Sequence, residues 1–233
     1  VGLSICEDIW LLESFVYQAP YSGETALILN ISASPYHLKK QHQRKALVEK
    51  LAQRSGSHVA YVNLVGGQDE LVFDGGSLLV DPTGKTLASG AYLEEDFLVR
   101  DLALRSRGKP GADVRRRAFR TIFLPAFTKA RRRRLPDSGN VRRRPMSPEE
   151  EVYRALVLGT RDYVKKNGFK KVLIGLSGGI DSALVACIAV DALGASRVIA
   201  LTMPSRHTSA GTYRDSRSIA KRLKIRLWDL SIE

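Results

Sequence analysis

The sequence contains little cysteine, and this scarcity excludes a small fold held together by disulfides. Cys6 and Cys187 are the only cysteines among 233 residues, whereas disulfide-dependent domains carry several pairs. Hydrophobic residues make up 44% of the chain, which is enough for a packed core without such cross-links. We therefore expect a protein of a reducing compartment, the cytoplasm.

Long apolar runs are also missing. No stretch approaches the roughly 20 consecutive apolar residues that a membrane-spanning helix needs, and no signal-peptide pattern precedes the first motif. The sequence therefore predicts no membrane association. Because it begins at Val1 directly before a motif and stops at Glu233 just after a strand-like run, we expect an internal fragment of a longer protein.

Acidic residues are nearly absent from residues 105–144, which hold 15 Lys or Arg but only two Asp or Glu. This segment carries the whole net charge of +13, so the basicity is not a surface-wide nucleic-acid footprint. Proline and glycine interrupt its arginine runs, and its aromatic residues are sparse. We interpret residues 105–146 as a basic linker between two domains. A non-catalytic RNA-binding protein that uses the arginine runs is an open alternative.

The most informative stretch is a glycine turn, G-L-S-G-G-I-D-S (residues 175–182), between two apolar runs. Its pattern predicts a strand, a tight turn and a helix. Gly178 and Gly179 can adopt positive φ, which lets backbone N–H groups face outward. The N-terminus of the following helix adds a partial positive charge, so the stretch predicts a phosphate site.

A single carboxylate within this turn points to a metal. Asp181 would repel a phosphate at close range, so we expect a magnesium ion between them. No Gly-Lys-Ser/Thr follows the glycines, which excludes a Walker loop. The string S-G-G-I-D-S instead resembles the pyrophosphate loop of the ATP pyrophosphatases, which implies ATP as the nucleotide. The predicted ATP-binding residues here are Gly175, Leu176, Ser177, Gly178, Gly179, Ile180, Asp181 and Ser182.

The first residues of the chain predict a nucleophile at the end of a strand. Residues 1–5 form an apolar run, and Cys6 follows immediately. A buried structural cysteine is the alternative. The neighbouring Glu7 and Asp8 disfavour a thiolate, so an activated Cys6 would need a cation or a base from elsewhere.

The region that follows alternates between short apolar runs and turn signals. We predict strands at residues 26–31 and 59–65, a helix at 41–54, a hairpin of strands 78–80 and 86–88, and an edge strand at 97–102.

Three strings within residues 1–104 carry a resemblance to a known family. They are I-C-E-D-I-W (5–10), L-N-I-S-A-S-P-Y (29–36) and G-G-Q-D-E-L-V-F-D-G-G-S (66–77). Together they resemble the nitrilase-type glutaminase domain of the glutamine-dependent NAD⁺ synthetases. The resemblance implies that Cys6 is the nucleophile, which forms a glutamyl thioester and releases ammonia. It also implies a glutamate base and a lysine that precede Val1.

The same resemblance assigns the glutamine site. It implies that Ser34 and Lys40 hold the α-amino and α-carboxylate groups of glutamine, and that Glu7 and Trp10 line the pocket. Residue 39 is a departure, because Lys39 stands where family members have glycine. Arg44, one helical turn after Lys40, could share the role of Lys40.

The last third of the chain predicts a second α/β domain. We expect helices at residues 147–166, 183–193 and 215–223, and strands at 172–174, 198–203 and 225–230. This alternation predicts a parallel sheet with ligands at the carboxyl ends of its strands. The string M-P-S-R-H-T-S (203–209) resembles a segment near the nucleotide in the same family. Arg206 is thus a predicted phosphate ligand, with a plain polar loop as the alternative.

The predicted fold class is α/β. Residues 1–104 are expected to form part of a nitrilase-like α-β-β-α sandwich. Residues 147–233 are expected to form part of an adenine nucleotide α-hydrolase-like domain. The resemblance implies ATP-dependent amidation of deamido-NAD⁺ with glutamine, with ATP and Mg²⁺ as cofactors, and we expect a homo-oligomer. Another glutamine-fed ligase of the GMP or asparagine synthetase type is the remaining alternative.

Overall fold

The computed structural model describes residues 1–10, 25–104 and 146–232. The predicted basic linker therefore lies outside the described residues, apart from Met146. The chain divides into two compact units, of which the first holds residues 1–65 and 73–145 and the second holds residues 66–72 and 146–233. Seven residues from the first half of the sequence thus fold with the second unit.

The helices and strands follow the predicted order closely. The strands are β1 (Gly2–Ile5), β2 (Leu27–Ser32), β3 (His58–Asn63), β4 (Val65–Gln68), β5 (Leu71–Asp74), β6 (Leu78–Val80), β7 (Thr86–Ser89), β8 (Val172–Gly175), β9 (Val198–Thr202) and β10 (Arg226–Asp229). The helices are α1 (Lys40–Ser55), α2 (Pro148–Lys166), α3 (Ile180–Leu193) and α4 (Ala210–Leu223), with 3₁₀ turns at Cys6–Trp10 and Ala195–Arg197.

The first unit is organised around a five-stranded sheet in the order β1-β2-β3-β6-β7. Strands β1, β2 and β3 are parallel, whereas β6 and β7 are antiparallel to their neighbours. Because parallel strands end at the same edge of a sheet, the residues that follow β1, β2 and β3 are brought close together. This edge holds the predicted cysteine site.

Only one face of this sheet is buried in the structure. Ile28, Val59 and Val80 point into a core that α1 completes with Val48 and Leu51. The alternate residues Leu3, Ile5, Ile31 and Val62 are more than half exposed. The first unit therefore shows one helix layer and one sheet layer of the predicted four-layer sandwich.

The second unit holds a parallel three-stranded sheet in the order β10-β9-β8. Its core joins residues of the sheet to residues of α3 and α4, among them Val198, Ala200, Ala186 and Ala220. The two helices follow β8 and β9, so their N-termini lie at the carboxyl ends of the strands. The predicted parallel α/β architecture is confirmed.

One predicted element is wrong. Residues 97–102 form no strand in the structure, and the Phe97 side chain is 81% exposed. Asp96 holds the turn before them, because its carboxylate accepts hydrogen bonds from the backbone N–H groups of Ala91 and Phe97, both at 2.8 Å. The apolar residues among 97–102 are therefore not part of a strand.

Two helices also begin earlier than predicted. Helix α3 begins at Ile180 rather than at residue 183, and α4 begins at Ala210 rather than at residue 215. Ser209 caps α4 by accepting a hydrogen bond from the backbone N–H of Thr212 at 3.1 Å. A serine cap permits an early start even where the first turn lacks apolar residues.

Candidate active sites

Cys6 lies where β1 turns sharply into the 3₁₀ turn Cys6–Trp10. Its φ of 42° falls in the left-handed region, which is unusual for a residue with a side chain and often marks a functional position. The Asp8 carboxylate stabilises the turn by accepting a hydrogen bond from the Ile5 backbone N–H at 2.8 Å. Cys6 is half-buried, so its thiol is not locked into a core.

Ser34 lies at the same edge, after β2. Strand register places Ile5 beside Ile31, and Ser32 beside Asn63. The backbone N–H of Ser34 donates to Asn63 Oδ1 at 2.9 Å. The structure therefore brings the segments of Cys6 and Ser34 to adjacent strand ends, as the sequence predicts for a shared site.

A ladder of buried polar side chains runs under this edge. Asn30 Nδ2 donates to Ser4 Oγ at 2.9 Å, and Ser32 Oγ donates to Asn30 Oδ1 at 2.6 Å. Tyr61 is paired with Asn30 on the next strand. Burial raises the pKa of Tyr61, an effect that the positive charge of Arg44 partly offsets, so its hydroxyl stays neutral at physiological pH.

Arg44 is not available to bind glutamine, contrary to the suggestion from the sequence. Its side chain is 2% exposed and forms an ion pair with Asp74, whose side chain is fully buried. Arg44 Nη1 also donates to the Gly75 carbonyl at 3.2 Å. Asn63 Nδ2 donates to the other Asp74 oxygen at 3.2 Å. Arg44 thus fixes the segment of Asp74 and Gly75 to α1, behind the sheet edge.

Lys40 and Trp10 come together, as the predicted pocket requires. Lys40 Nζ lies 5.4 Å from the centre of the Trp10 ring, within range of a cation–π interaction. Lys39 precedes α1 with φ of 67°, a conformation that glycine adopts without strain. Glu7 is exposed within the same 3₁₀ turn as Trp10.

The predicted phosphate loop follows β8, and one of its two adjacent glycines, Gly178 and Gly179, has positive φ. Gly178 has φ of 88°. Gly179 has φ of −76° and an extended conformation as the N-cap of α3. One left-handed residue is enough to turn the chain from the strand into the helix.

Gly178 is also required by packing. A Cβ atom there would lie 2.3 Å from the Thr212 carbonyl oxygen and 3.3 Å from the Ser216 backbone nitrogen. The loop therefore lies directly against the first turns of α4. Two helix N-termini, those of α3 and α4, are thus close to the loop, and both favour an anion.

Two serines hold the shape of the loop. Ser182 Oγ accepts from the Ser177 backbone N–H at 3.2 Å and donates to the Gly179 carbonyl at 3.0 Å. Leu176 is 1% exposed, and its N–H donates to the Leu201 carbonyl at 2.8 Å. Leu176 therefore supports the loop from below, through the core.

The other predicted nucleotide residues lie at or near the same strand ends. Gly175 is the last residue of β8, and Ile180 is 83% exposed at the start of α3. Asp181 is exposed in the first turn of that helix. Arg206 follows β9, which lies beside β8, and its Nε is 3.3 Å from His207 Nε2. The structure shows no bond between Arg206 and the loop among the described residues.

The residues fit a magnesium ion only if phosphate supplies most of the ligands. The described parts of the chain contain no group of three His, Cys, Asp or Glu residues suited to a metal. Asp181 offers one carboxylate beside a loop of backbone and hydroxyl donors. Mg²⁺ commonly binds through one or two carboxylates, substrate phosphates and water, so this donor set fits the ion when ATP is bound.

Sequence reasoning missed the buried network of Asn63 and Asp74. Asn63 is the last residue of β3, and Asp74 lies within the string of residues 66–77 that carried the resemblance. A polar residue at the end of an apolar strand was the available signal for Asn63. The partner of Asp74 could not be identified, because Arg44 is 30 residues away.

Two family profiles match separate parts of the chain. The carbon-nitrogen hydrolase profile matches residues 1–109, and the NAD synthase profile matches residues 152–233. No helix of the described residues is long and apolar enough to cross a membrane.

The chain is also similar to curated proteins along its length. It is 45% identical over 230 residues to the glutamine-dependent NAD(+) synthetase of Aquifex aeolicus, covering 97% of this chain and 40% of the relative. It is 43% identical over 243 residues to the enzyme of that name from Thermotoga maritima, covering 100% of this chain and 41% of the relative. The chain thus spans about 40% of the length of these relatives.

Two solved structures resemble the fold. The structure of glutamine-dependent NAD+ synthetase from Acinetobacter baumannii, in complex with ADP, matches with a TM-score of 0.75 and 32% identity. The match covers 99% of this chain and 38% of that one. A synthetase from Cytophaga hutchinsonii matches with a TM-score of 0.66 at 19% identity, which supports the fold alone. These relatives support the nitrilase and NAD synthetase prediction and give no support to the alternatives.

Proposed function

Because the chain carries a carbon-nitrogen hydrolase domain followed by an NAD synthase domain and is homologous over its length to glutamine-dependent NAD(+) synthetases, we propose that it is part of an enzyme that converts deamido-NAD⁺ to NAD⁺. ATP and glutamine are the other substrates. The observation that carries the proposal is the presence in one chain of a cysteine at a strand edge and a phosphate loop between two helix N-termini.

In this proposal, ammonia is released at the cysteine edge, the sheet edge where Cys6 and Ser34 follow β1 and β2. The Cys6 sulfur attacks the carboxamide carbon of glutamine, the carbon–nitrogen bond breaks, and the nitrogen takes up the thiol proton and leaves as ammonia. Water then hydrolyses the thioester, which releases glutamate and restores the thiol. Ser34, Lys40, Glu7 and Trp10 hold the glutamine. The base that activates Cys6 is expected in the part of the full-length relatives that this chain does not span.

The phosphate loop activates the carboxylate. An oxygen of the nicotinate carboxylate attacks the α-phosphorus of ATP, and the bond to the β-phosphate breaks to release pyrophosphate. Ammonia then attacks the acyl carbon, AMP leaves, and the nitrogen loses a proton. Residues 175–182 and Arg206 hold the phosphates. Asp181 would hold Mg²⁺, which offsets the charge of the departing pyrophosphate.

Two expectations stay predictions. The shortage of cysteine favours the cytoplasm, and we further propose that the full-length enzyme is a homo-oligomer. Gel filtration with light scattering checks the second directly.

The test of the function uses the full-length enzyme and two nitrogen donors. Cys6→Ala should lose NAD⁺ formation with glutamine to below detection, because no thioester can form. It should keep formation with ammonium within about twofold, because the phosphate loop is untouched. Cys187→Ala, which replaces the other cysteine, is the matched control and should keep both activities. Equal loss with both donors in folded Cys6→Ala would refute separate sites.

A further inference from the structure

The hairpin of β4 and β5 has no role in the function described so far. It is formed by part of the string G-G-Q-D-E-L-V-F-D-G-G-S, which carried the most specific resemblance in the first domain. Its two strands form a two-stranded sheet of their own. Yet residues 66–72 belong to the second compact unit, whereas the residues on either side belong to the first.

Gly67, within β4, is clamped by two side chains of α2. The backbone N–H of Gly67 donates to Asp162 Oδ2 at 2.9 Å. Lys166 Nζ donates to the Gly67 carbonyl at 2.5 Å. Asp162 and Lys166 are four residues apart, so they lie on one face of the helix. Both polar backbone groups of a single hairpin residue are thus held by opposite charges.

Three glycines allow this close approach. A Cβ on Gly67 would lie 3.0 Å from Gly159 Cα, and a Cβ on Gly66 would lie 2.9 Å from Asp162 Oδ2. A Cβ on Gly159 would in turn lie 3.0 Å from Val72 Cγ2. Hairpin backbone and helix backbone therefore touch without intervening side chains. Such contacts transmit displacement, because packed surfaces do not compress.

The base of the hairpin contacts the cysteine edge. Phe73 forms an antiparallel bridge with Pro35, the residue directly after Ser34. Asp74, the last residue of β5, accepts from Asn63 at 3.2 Å, and Asn63 accepts from the Ser34 backbone N–H at 2.9 Å. One short hairpin thus connects the segment that holds glutamine with the helix that leads into β8 and the phosphate loop.

We infer that Asp162 and Lys166 are positioning residues that tie glutamine hydrolysis to amidation through this hairpin. A shift of residues 34 and 35 when glutamine binds moves β5, and the clamp on Gly67 passes that shift to α2. The reverse holds as well, since coupling between two sites is reciprocal. The inference rests on the proposed function, and it assigns neither residue to a chemical step.

The experiment measures glutamate released per NAD⁺ formed by the full-length enzyme. Lys166→Met removes the amine of the clamp and keeps an unbranched apolar stem. Asp162→Asn replaces the charged acceptor by a weaker neutral one and is the second variant. Lys165→Met, at the exposed neighbouring position of the same helix, is the matched control. Hydrogen exchange of the peptide that covers residues 66–72 reports whether the clamp has opened.

We expect the ratio of glutamate to NAD⁺ to rise about threefold or more in Lys166→Met and Asp162→Asn, a size typical of substitutions that weaken coupling. NAD⁺ formation with ammonium should stay within about twofold, and hydrogen exchange of the hairpin should become faster. Lys165→Met should change none of these. In the double variant, the effect on the ratio should be smaller than the sum of the two single effects, because both side chains act on Gly67.

An unchanged ratio together with faster exchange of the hairpin would overturn the inference, since the clamp would then only stabilise the fold. An equal loss with glutamine and ammonium would overturn it too. If the unsubstituted enzyme forms no NAD⁺ from either donor, the proposed function itself fails, whatever the hydrogen exchange of the hairpin shows.

Discussion

The cysteine edge and the phosphate loop lie at the carboxyl ends of parallel strands, but they are built in different ways. The phosphate loop is made by neighbours in sequence, because Ser177, Gly179 and Ser182 bond to one another within six residues. The cysteine edge depends on partners that are 26 to 31 residues apart, such as Asn30 with Ser4 and Arg44 with Gly75. A local site tolerates changes elsewhere, whereas a distributed one is sensitive to its supporting network.

The largest expected effect is at a point where the phosphate loop packs directly against a distant segment. Gly178→Ala places a Cβ 2.3 Å from the Thr212 carbonyl oxygen, so the loop must move. A displacement near 1 Å costs about 100-fold in rate. The strain of alanine in the left-handed conformation lowers the rate by roughly another tenfold. We therefore expect a loss of about 1000-fold with both nitrogen donors, measured as pyrophosphate release at saturating ATP.

Gly211→Ala is the matched control, because its Cβ would meet only Ser209 Oγ, at 3.7 Å. It should keep turnover within about twofold. Full activity in Gly178→Ala would show that the loop is not held against α4 during the reaction.

The next effect tests the network behind the cysteine edge. Arg44→Met leaves the Asp74 carboxylate buried without its cation, and breaking a buried pair in this way costs about 3 kcal/mol. Hydrogen exchange of peptides from α1 and β3 should therefore become more than 100-fold faster where it reports unfolding of the first unit. Peptides from α3 and α4 should exchange as before.

Arg54→Met is its control, since Arg54 is exposed near the end of the same helix. Its exchange should match that of the unsubstituted enzyme. Equal protection in Arg44→Met would mean that the pair contributes nothing to the stability of the edge, and the contrast between the two regions would be lost.

The smallest of the three effects concerns charge at the phosphate loop. Asp181→Asn keeps size and hydrogen bonding but removes the carboxylate, and losing metal-held charge stabilisation of this kind costs roughly 100-fold in turnover. Both nitrogen donors should be affected, and the magnesium concentration needed for half-maximal pyrophosphate release should rise. Glutamine hydrolysis at Cys6 should persist.

Asp191→Asn, at the far end of α3, controls for the loss of a helix carboxylate. Asp191 accepts a hydrogen bond from the Tyr153 hydroxyl at 2.6 Å, and an asparagine oxygen can still accept it. Unchanged turnover and magnesium dependence in Asp181→Asn would remove Asp181 from the metal site and leave the loop a phosphate cradle only.

The contrast between the regions also explains which features could be predicted. The phosphate loop and the turn between β6 and β7 depend on residues within a few positions of one another, so local patterns predict them. Cys6 was predicted as a strand-end residue because an apolar run ends just before it, whereas Ser34 was assigned through the family resemblance. The parallel pairing of β8, β9 and β10 follows from the alternation of strands and helices.

What the sequence determined by itself is therefore local. It determined the strand, turn and helix around Gly178 and the place of Cys6 directly after β1. Only the tertiary structure decided that Arg44 pairs with Asp74 instead of facing glutamine, and that Gly67 meets Asp162, 95 residues away. A backbone conformation depends on its immediate neighbours, whereas the partner of a buried charge or of a glycine depends on which distant segment the fold brings against it.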